Sequence, residues 1–290
     1  MAINHFTYRS NNRSVLISNY STSMNVNIYE ARSSVNSVFD NINTLSNNMA
    51  LNSIISSAEK PANGDRMMVA DQLNTIISQS ELISHITIIN KKAGYALTSS
   101  NQYDINTYFS NIHSYEAYPS SYWQNYNMRI NDVQSLETTT LKTSAGELHK
   151  VIPIVYTFSG SRPNNGLLII DIDLNALYNI LIPNTNNGTE LYMLDTKNNL
   201  CYDGSDFIEF PFKNKELINR ITTSTRTFVI EDIRMNSKED KNKYILISSP
   251  YGKNIWGYVY LLAIPNYAID NMNASIASVI FLILALAVSV

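Results

Sequence analysis

Tyr108, Tyr115, Tyr118, Tyr122, Trp123 and Tyr126 crowd into an otherwise polar, loop-like stretch of the chain. A ring with a polar tip supplies apolar contact and one oriented hydrogen bond, the combination from which small-molecule pockets are built. Such rings stack on a sugar or face a cationic amine. The competing role for each is to roof a sheet as ordinary core. Further on, Asp171 and Asp173 lie two residues apart in a strongly apolar run, so they share one face of a strand. A carboxylate among apolar neighbours needs a partner. Asp171 is the better candidate for a ligand contact, and Asp173 for a strand-end or helix-cap role. Tyr156, on the preceding strand, and Arg129, just past the aromatic stretch, complete the candidate ligand-binding set.

Other chemistry finds little support. His5, His85, His113 and His149 are scattered, with no HExxH, nucleophile elbow or Gly-rich phosphate loop. Each reads as a surface or satisfied core histidine, so no catalytic residue is expected. Cys201 is the only cysteine, which excludes an internal disulfide, and no Cys/His spacing marks a zinc site. It reads as a small, half-buried side chain. No cofactor or metal is therefore expected. With 16% charged residues and a net charge of −3, the chain lacks the basic footprint of a nucleic-acid binder.

The elements that must position these residues follow from periodicity. Ile28, Ala31, Val35, Val38, Ile42, Leu45 and Met49 recur at spacings of three and four, an apolar stripe on one helix face. No Gly or Pro interrupts residues 10–60. A helix of about 45 residues spans about 65 Å, more than one ordinary domain, so it is expected to run alongside two units. After the breaker Lys60-Pro61-Ala62-Asn63-Gly64, a second helix is expected near 66–80. Strands are expected at 83–89 and 95–98, an irregular stretch at 101–131, then strands at 134–142, 148–158 and 166–174. A short helix at 175–181 leads to a loop at 183–188. The order then recurs: strands at 190–194 and 200–202, a helix at 214–224, and strands at 227–233, 243–250 and 255–265. Repetition of this kind suggests two copies of one small unit.

The chain ends in an apolar run, residues 274–290, without a charge. It reads as the start of a transmembrane helix, about 25 Å long against a bilayer core of about 30 Å. A buried C-terminal helix is the competing reading. The first ten residues lack the apolar segment of a signal peptide, so a further span is expected upstream.

In this order the chain resembles a double Cache (dCache) sensor domain, of the kind Bacillota place before a histidine kinase or an AraC-type output. The likeness is carried by the stripe from Ile28 to Met49 and by the paired openings Ile86-Thr87-Ile88-Ile89-Asn90-Lys91 and Leu191-Tyr192-Met193-Leu194-Asp195-Thr196. The run Gly166-Leu167-Leu168-Ile169-Ile170-Asp171-Ile172-Asp173-Leu174 adds to it, as does the ending Ile247-Ser248-Ser249-Pro250-Tyr251 with Trp256-Gly257-Tyr258-Val259-Tyr260-Leu261. It covers nearly the whole chain, and order rather than any single motif carries it. The resemblance implies an α/β (α+β) fold in four parts. These are a stalk helix (1–60), a membrane-distal PAS-like module (61–182), a membrane-proximal PAS-like module (183–266) and the start of a transmembrane helix (267–290), the sheets being antiparallel.

The resemblance also implies a small-molecule pocket in the distal module and transmission through the last helix, at a cell membrane with the region before about residue 270 extracytoplasmic. In amino-acid-binding members an Arg shortly before a Trp-Tyr pair grips the carboxylate, and an Asp on a later strand holds the amine. Here Tyr118-Pro119-Ser120-Ser121-Tyr122-Trp123 matches the opening Tyr and the Trp, but no Arg precedes them. Carboxylate recognition favours a placed guanidinium, so the ligand class stays open among amino acid, carboxylate and sugar-like compounds. The helix stripe either pairs with a second copy or is consumed by packing on the sheets. The alternative function is a membrane-anchored surface module for a protein partner, marked by an exposed apolar patch.

Overall fold

In the computed structural model the described residues are 2–46, 61–126, 133–157, 166–182, 189–197, 200–212, 215–234, 243–250 and 258–266. Arg129, residues 47–60 and the terminal run lie outside them. Among the described residues no helix is long and apolar enough to cross a membrane.

Helix α1 (Ala2–Ser46) runs without interruption. Its buried side chains Leu16, Tyr20, Met24, Ile28, Ala31, Val35 and Val38 follow the helical period, so the stripe begins three turns earlier than Ile28. The chain divides into two units. One holds residues 31–180; the other holds residues up to 30 and most of those from 181 on. The fold is α+β, with one antiparallel sheet in each unit.

The first unit opens with α2 (Asn63–Ser78), whose Val69, Leu73 and Ile76 are buried and which packs on β1 (Ile83–Asn90) and β2 (Tyr95–Thr98). Gly94 closes the turn between those strands at φ +74°, a conformation few other residues adopt. Next come β3 (Gln102–Asp104), a helical turn Ile105–Thr107, a π-helical segment Tyr108–Ile112, β4 (His113–Tyr115) and α3 (Ser120–Asn125). Local capping builds this stretch, which periodicity alone left irregular. Asp104, for example, accepts from the amides of Asn106 and Thr107.

Strands β5 (Val133–Ser135), β6 (Thr139–Thr143), β7 (Leu148–Tyr156) and β8 (Gly166–Asp173) follow, then helix α4 (Leu174–Leu181). The sheet order is β3-β2-β1-β8-β7-β6-β4, with β5 also on β7. The single strand expected at 134–142 is divided because its pairing with β7 slips by one residue between Ser135↔Ile154 and Thr139↔Val151.

The second unit contains β9 (Glu190–Asp195), β10 (Leu200–Tyr202), β11 (Phe207–Glu209), α5 (Lys215–Thr223), β12 (Phe228–Arg234), β13 (Lys243–Pro250) and β14 (Tyr258–Pro265). Its order, β11-β10-β9-β14-β13-β12, follows the same path as β3-β2-β1-β8-β7-β6 in the first unit. Leu217 and Ile221 of α5 pack with Tyr192, Leu194, Tyr244, Leu246 and Leu261. Cys201 sits in this core with no exposure, rather than half-buried.

Candidate functional site

Strand β8 lies between β1 and β7, and its residues from Gly166 to Ile172 are buried. Its odd-numbered residues, Leu167, Ile169 and Asp171, point to one face. The registers Ile89↔Leu167, Thr87↔Ile169 and His85↔Asp171 set the odd-numbered residues of β1 on that same face. A bulge at Ser84 ends the regular pairing just beyond His85. The face is roofed by the chain from Ile105 to Tyr126, which contributes Tyr108, Phe109, Tyr115, Tyr118, Trp123 and Tyr126 to one buried cluster with Leu167 and Ile169.

Asp171 is fully buried. The Tyr115 hydroxyl donates to its Oδ1 at 2.9 Å and its Oδ2 at 3.0 Å, and His113 Nε2 lies 2.9 Å from Oδ2. Facing a carboxylate, that Nε2–H donates. A buried carboxylate is tolerated only with such donors, and bonds to a charged acceptor are the strong ones. Burial, with Asp171 beside it, pushes the Tyr115 hydroxyl well above the ordinary phenol range, so it stays a donor. Tyr108 stacks on His113 with 5.1 Å between centroids and shares a 2.6 Å hydrogen bond with Thr87.

His85 meets His113 edge to face at 4.8 Å and His149 at 5.6 Å. Burial, with His113 adding to it, pushes the His85 imidazole down to about 4, so it is neutral near pH 7. Its Nδ1 is buried without a hydrogen-bond partner among the described residues. His149 stands 3.6 Å from Glu147 and 3.8 Å from Asp173. A cavity of about 330 Å³ opens beside this group, lined by His85, His113, Tyr103, Tyr108, Asn74 and Ser100 among others.

The candidates named from sequence fall in three places. Tyr118, Trp123 and Tyr126 are buried in the aromatic cluster and Tyr122 packs against it. Trp123 is completely enclosed, stacked on Phe109 at 5.1 Å and 5.2 Å from Tyr115, and its Nε1 has no partner among the described residues. Tyr118 donates to the Glu137 carbonyl and Tyr126 to Gln134. None of these four is among the residues lining the cavity. Asp171 lies at the centre of the polar group, joined to the cluster through Tyr115. Tyr156 is half-buried next to Val155, which belongs to the cluster, so it faces the opposite side of the sheet from Asp171. Arg129 is outside the described residues. Asp173 accepts from the Ala176 amide at 3.0 Å, the helix-cap role.

The histidines were missed in the sequence. His85, His113 and His149 stand on three different strands, and no local spacing links them. The one available signal was parity: His85 shares its face with Thr87 and Ile89, as Asp171 does with Ile169.

No family model matches the chain, and no curated protein matches it. Solved structures do. The periplasmic sensory domain of the Campylobacter jejuni chemoreceptor Tlp1 superposes with a TM-score of 0.61 at 8% identity, covering 86% of this chain and 94% of that one. The extracellular domain of vpHK1S-Z8, assigned as a histidine kinase, gives 0.57 at 12% identity, covering 91% and 96%. The ligand-binding domain of Campylobacter jejuni chemoreceptor Tlp3 in complex with 4-methylisoleucine gives 0.50 at 14% identity, covering 89% and 94%. At these identities the likeness is one of fold. The chain shares the fold of sensory domains from membrane signalling proteins.

Proposed function

We propose that this chain is the extracytoplasmic ligand-sensing domain of a transmembrane receptor, binding a small molecule in the unit of residues 31–180. The observation that carries the reading is the buried Asp171, held by Tyr115 and by His113, which itself lines the cavity, beneath an aromatic roof. A core built only for stability gains little from a buried carboxylate. A binding site uses one to orient a polar or cationic ligand group. Trp123 Nε1 is a second oriented group, a donor inside the aromatic cluster without an acceptor among the described residues. The fold shared with sensory domains supports the same reading, and one of those structures holds an amino-acid derivative.

In this proposal the unit of residues 31–180 is a membrane-distal PAS-like module and the unit beginning at 181 a membrane-proximal one, as in a dCache receptor. The apolar run 274–290 anchors the chain and carries the signal onward. Ligand binding shifts the balance between two packings only by its different affinity for each. The region has no catalytic role in this scheme; an output module would supply one.

Thermal-shift measurements on the whole chain test the proposal, using amino acids, amines, carboxylates and sugars. A true ligand at 100 times its Kd adds about 2.7 kcal/mol. The shift should vanish in Asp171→Asn and weaken in Trp123→Phe, which removes the indole N–H together with part of the ring. A chain that responds to none of these compounds and to no metal ion would refute a small-molecule sensor.

A further inference from the structure

His85 and His113, which line the cavity, and the buried Asp171 each present one donor atom within 4.8 Å of the other two. The His113–Asp171 pair is already at 2.9 Å. In a tetrahedral site with bonds of about 2.1 Å, neighbouring donors stand about 3.4 Å apart. Two of the three are thus close to ligand spacing, and only His85 has to move inward. It stands half-buried beside the bulge at Ser84, with a buried Nδ1 that has no hydrogen-bond partner among the described residues.

We propose that His85, His113 and Asp171 bind a divalent transition-metal ion of the zinc class, with its remaining coordination position open to the cavity. We further infer that this ion is the ligand the unit senses, a step that rests on the sensor reading above. Two imidazoles and one carboxylate suit zinc, nickel or cobalt, whereas magnesium and calcium prefer oxygen alone. Three protein ligands with one open position describe exchangeable sites rather than closed structural ones. Tyr115 would stay on the carboxylate as the outer partner that orients it. On binding, the Nε2 proton of His113 moves to Nδ1 or to solvent, and the metal takes its place. A closed hydrogen-bonded core explains the His113–Asp171 pair, but leaves His85 Nδ1 unexplained. The metal reading accounts for both.

The test uses the 290-residue chain without a histidine tag, stripped with chelator. Zn²⁺ is titrated by calorimetry and Co²⁺ by its visible absorption. The expected result is one ion per chain, a raised melting temperature, and a Co²⁺ spectrum of the four-coordinate type. His85→Ala leaves the Tyr115–Asp171–His113 bonds in place, and should weaken binding at least about tenfold; His113→Gln should do the same. No binding, or binding that neither substitution changes, overturns the proposal. If zinc fails while an organic compound shifts the melting temperature of the stripped chain, the metal inference falls and the sensor reading stands. If both fail, both fall.

Discussion

Tyr115 donates its hydroxyl to both carboxylate oxygens of Asp171, although their strands are separated in the sheet by β7 and β6. Three strand spacings in a flat sheet amount to about 14 Å. The contact closes because the sheet coils and the tyrosine side chain reaches inward over its face. One hydroxyl therefore ties the edge of this sheet to its centre, at the position proposed to meet a ligand.

Tyr115→Phe keeps the ring and removes both bonds. Asp171 is then left with His113 alone, and the chain should lose about 1.5–3 kcal/mol, the range for a hydrogen bond to a charged group. Urea unfolding of the single variants and of the double variant with Asp171→Asn measures the coupling. Simple additivity of the two losses would show that this bond does not matter.

Trp123 separates packing from recognition. Trp123→Ala opens a cavity among Phe109, Tyr115 and Tyr118 and should cost about 3–5 kcal/mol. Trp123→Phe keeps most of the ring contact, and the lost Nε1 had no protein partner, so about 1–2 kcal/mol is expected. Equal losses in the two variants, by thermal or urea melts, would contradict the account of the cluster.

Asp173 has a local task. Its side chain caps the start of α4, so Asp173→Ala should cost about 1 kcal/mol, and Asp173→Ser or Asp173→Asn much less. Stability measurements on the three variants check the order. A ligand affinity that fell with Asp173→Ser would instead place this residue in the site.

Cys201 is fully buried, and burial pushes its thiol up to about 12. The thiolate is the reactive form. An aromatic disulfide reagent at neutral pH should leave the native chain unmodified, then label one thiol as urea unfolds it. Prompt labelling of the folded chain would mean that this core opens.

The sequence alone carried the repeating order of elements and the long helix, because periods of two and 3.6 are properties of local backbone geometry. It showed that Asp171 and Asp173 share a face and that Tyr118, Trp123 and their neighbours form one group. It also left Asp173 with the cap role it occupies. It could not show which faces of different strands coincide. That depends on register: β4 with β6, β6 with β7, β7 with β8 and β8 with β1 all pair odd-numbered residues with odd-numbered ones. Those registers set His85, His113 and Asp171 on one face, while the alternation along β7 turns Tyr156 away from it. Periodicity acts along a strand, whereas a site is made across strands, so only the folded sheet brings these side chains together.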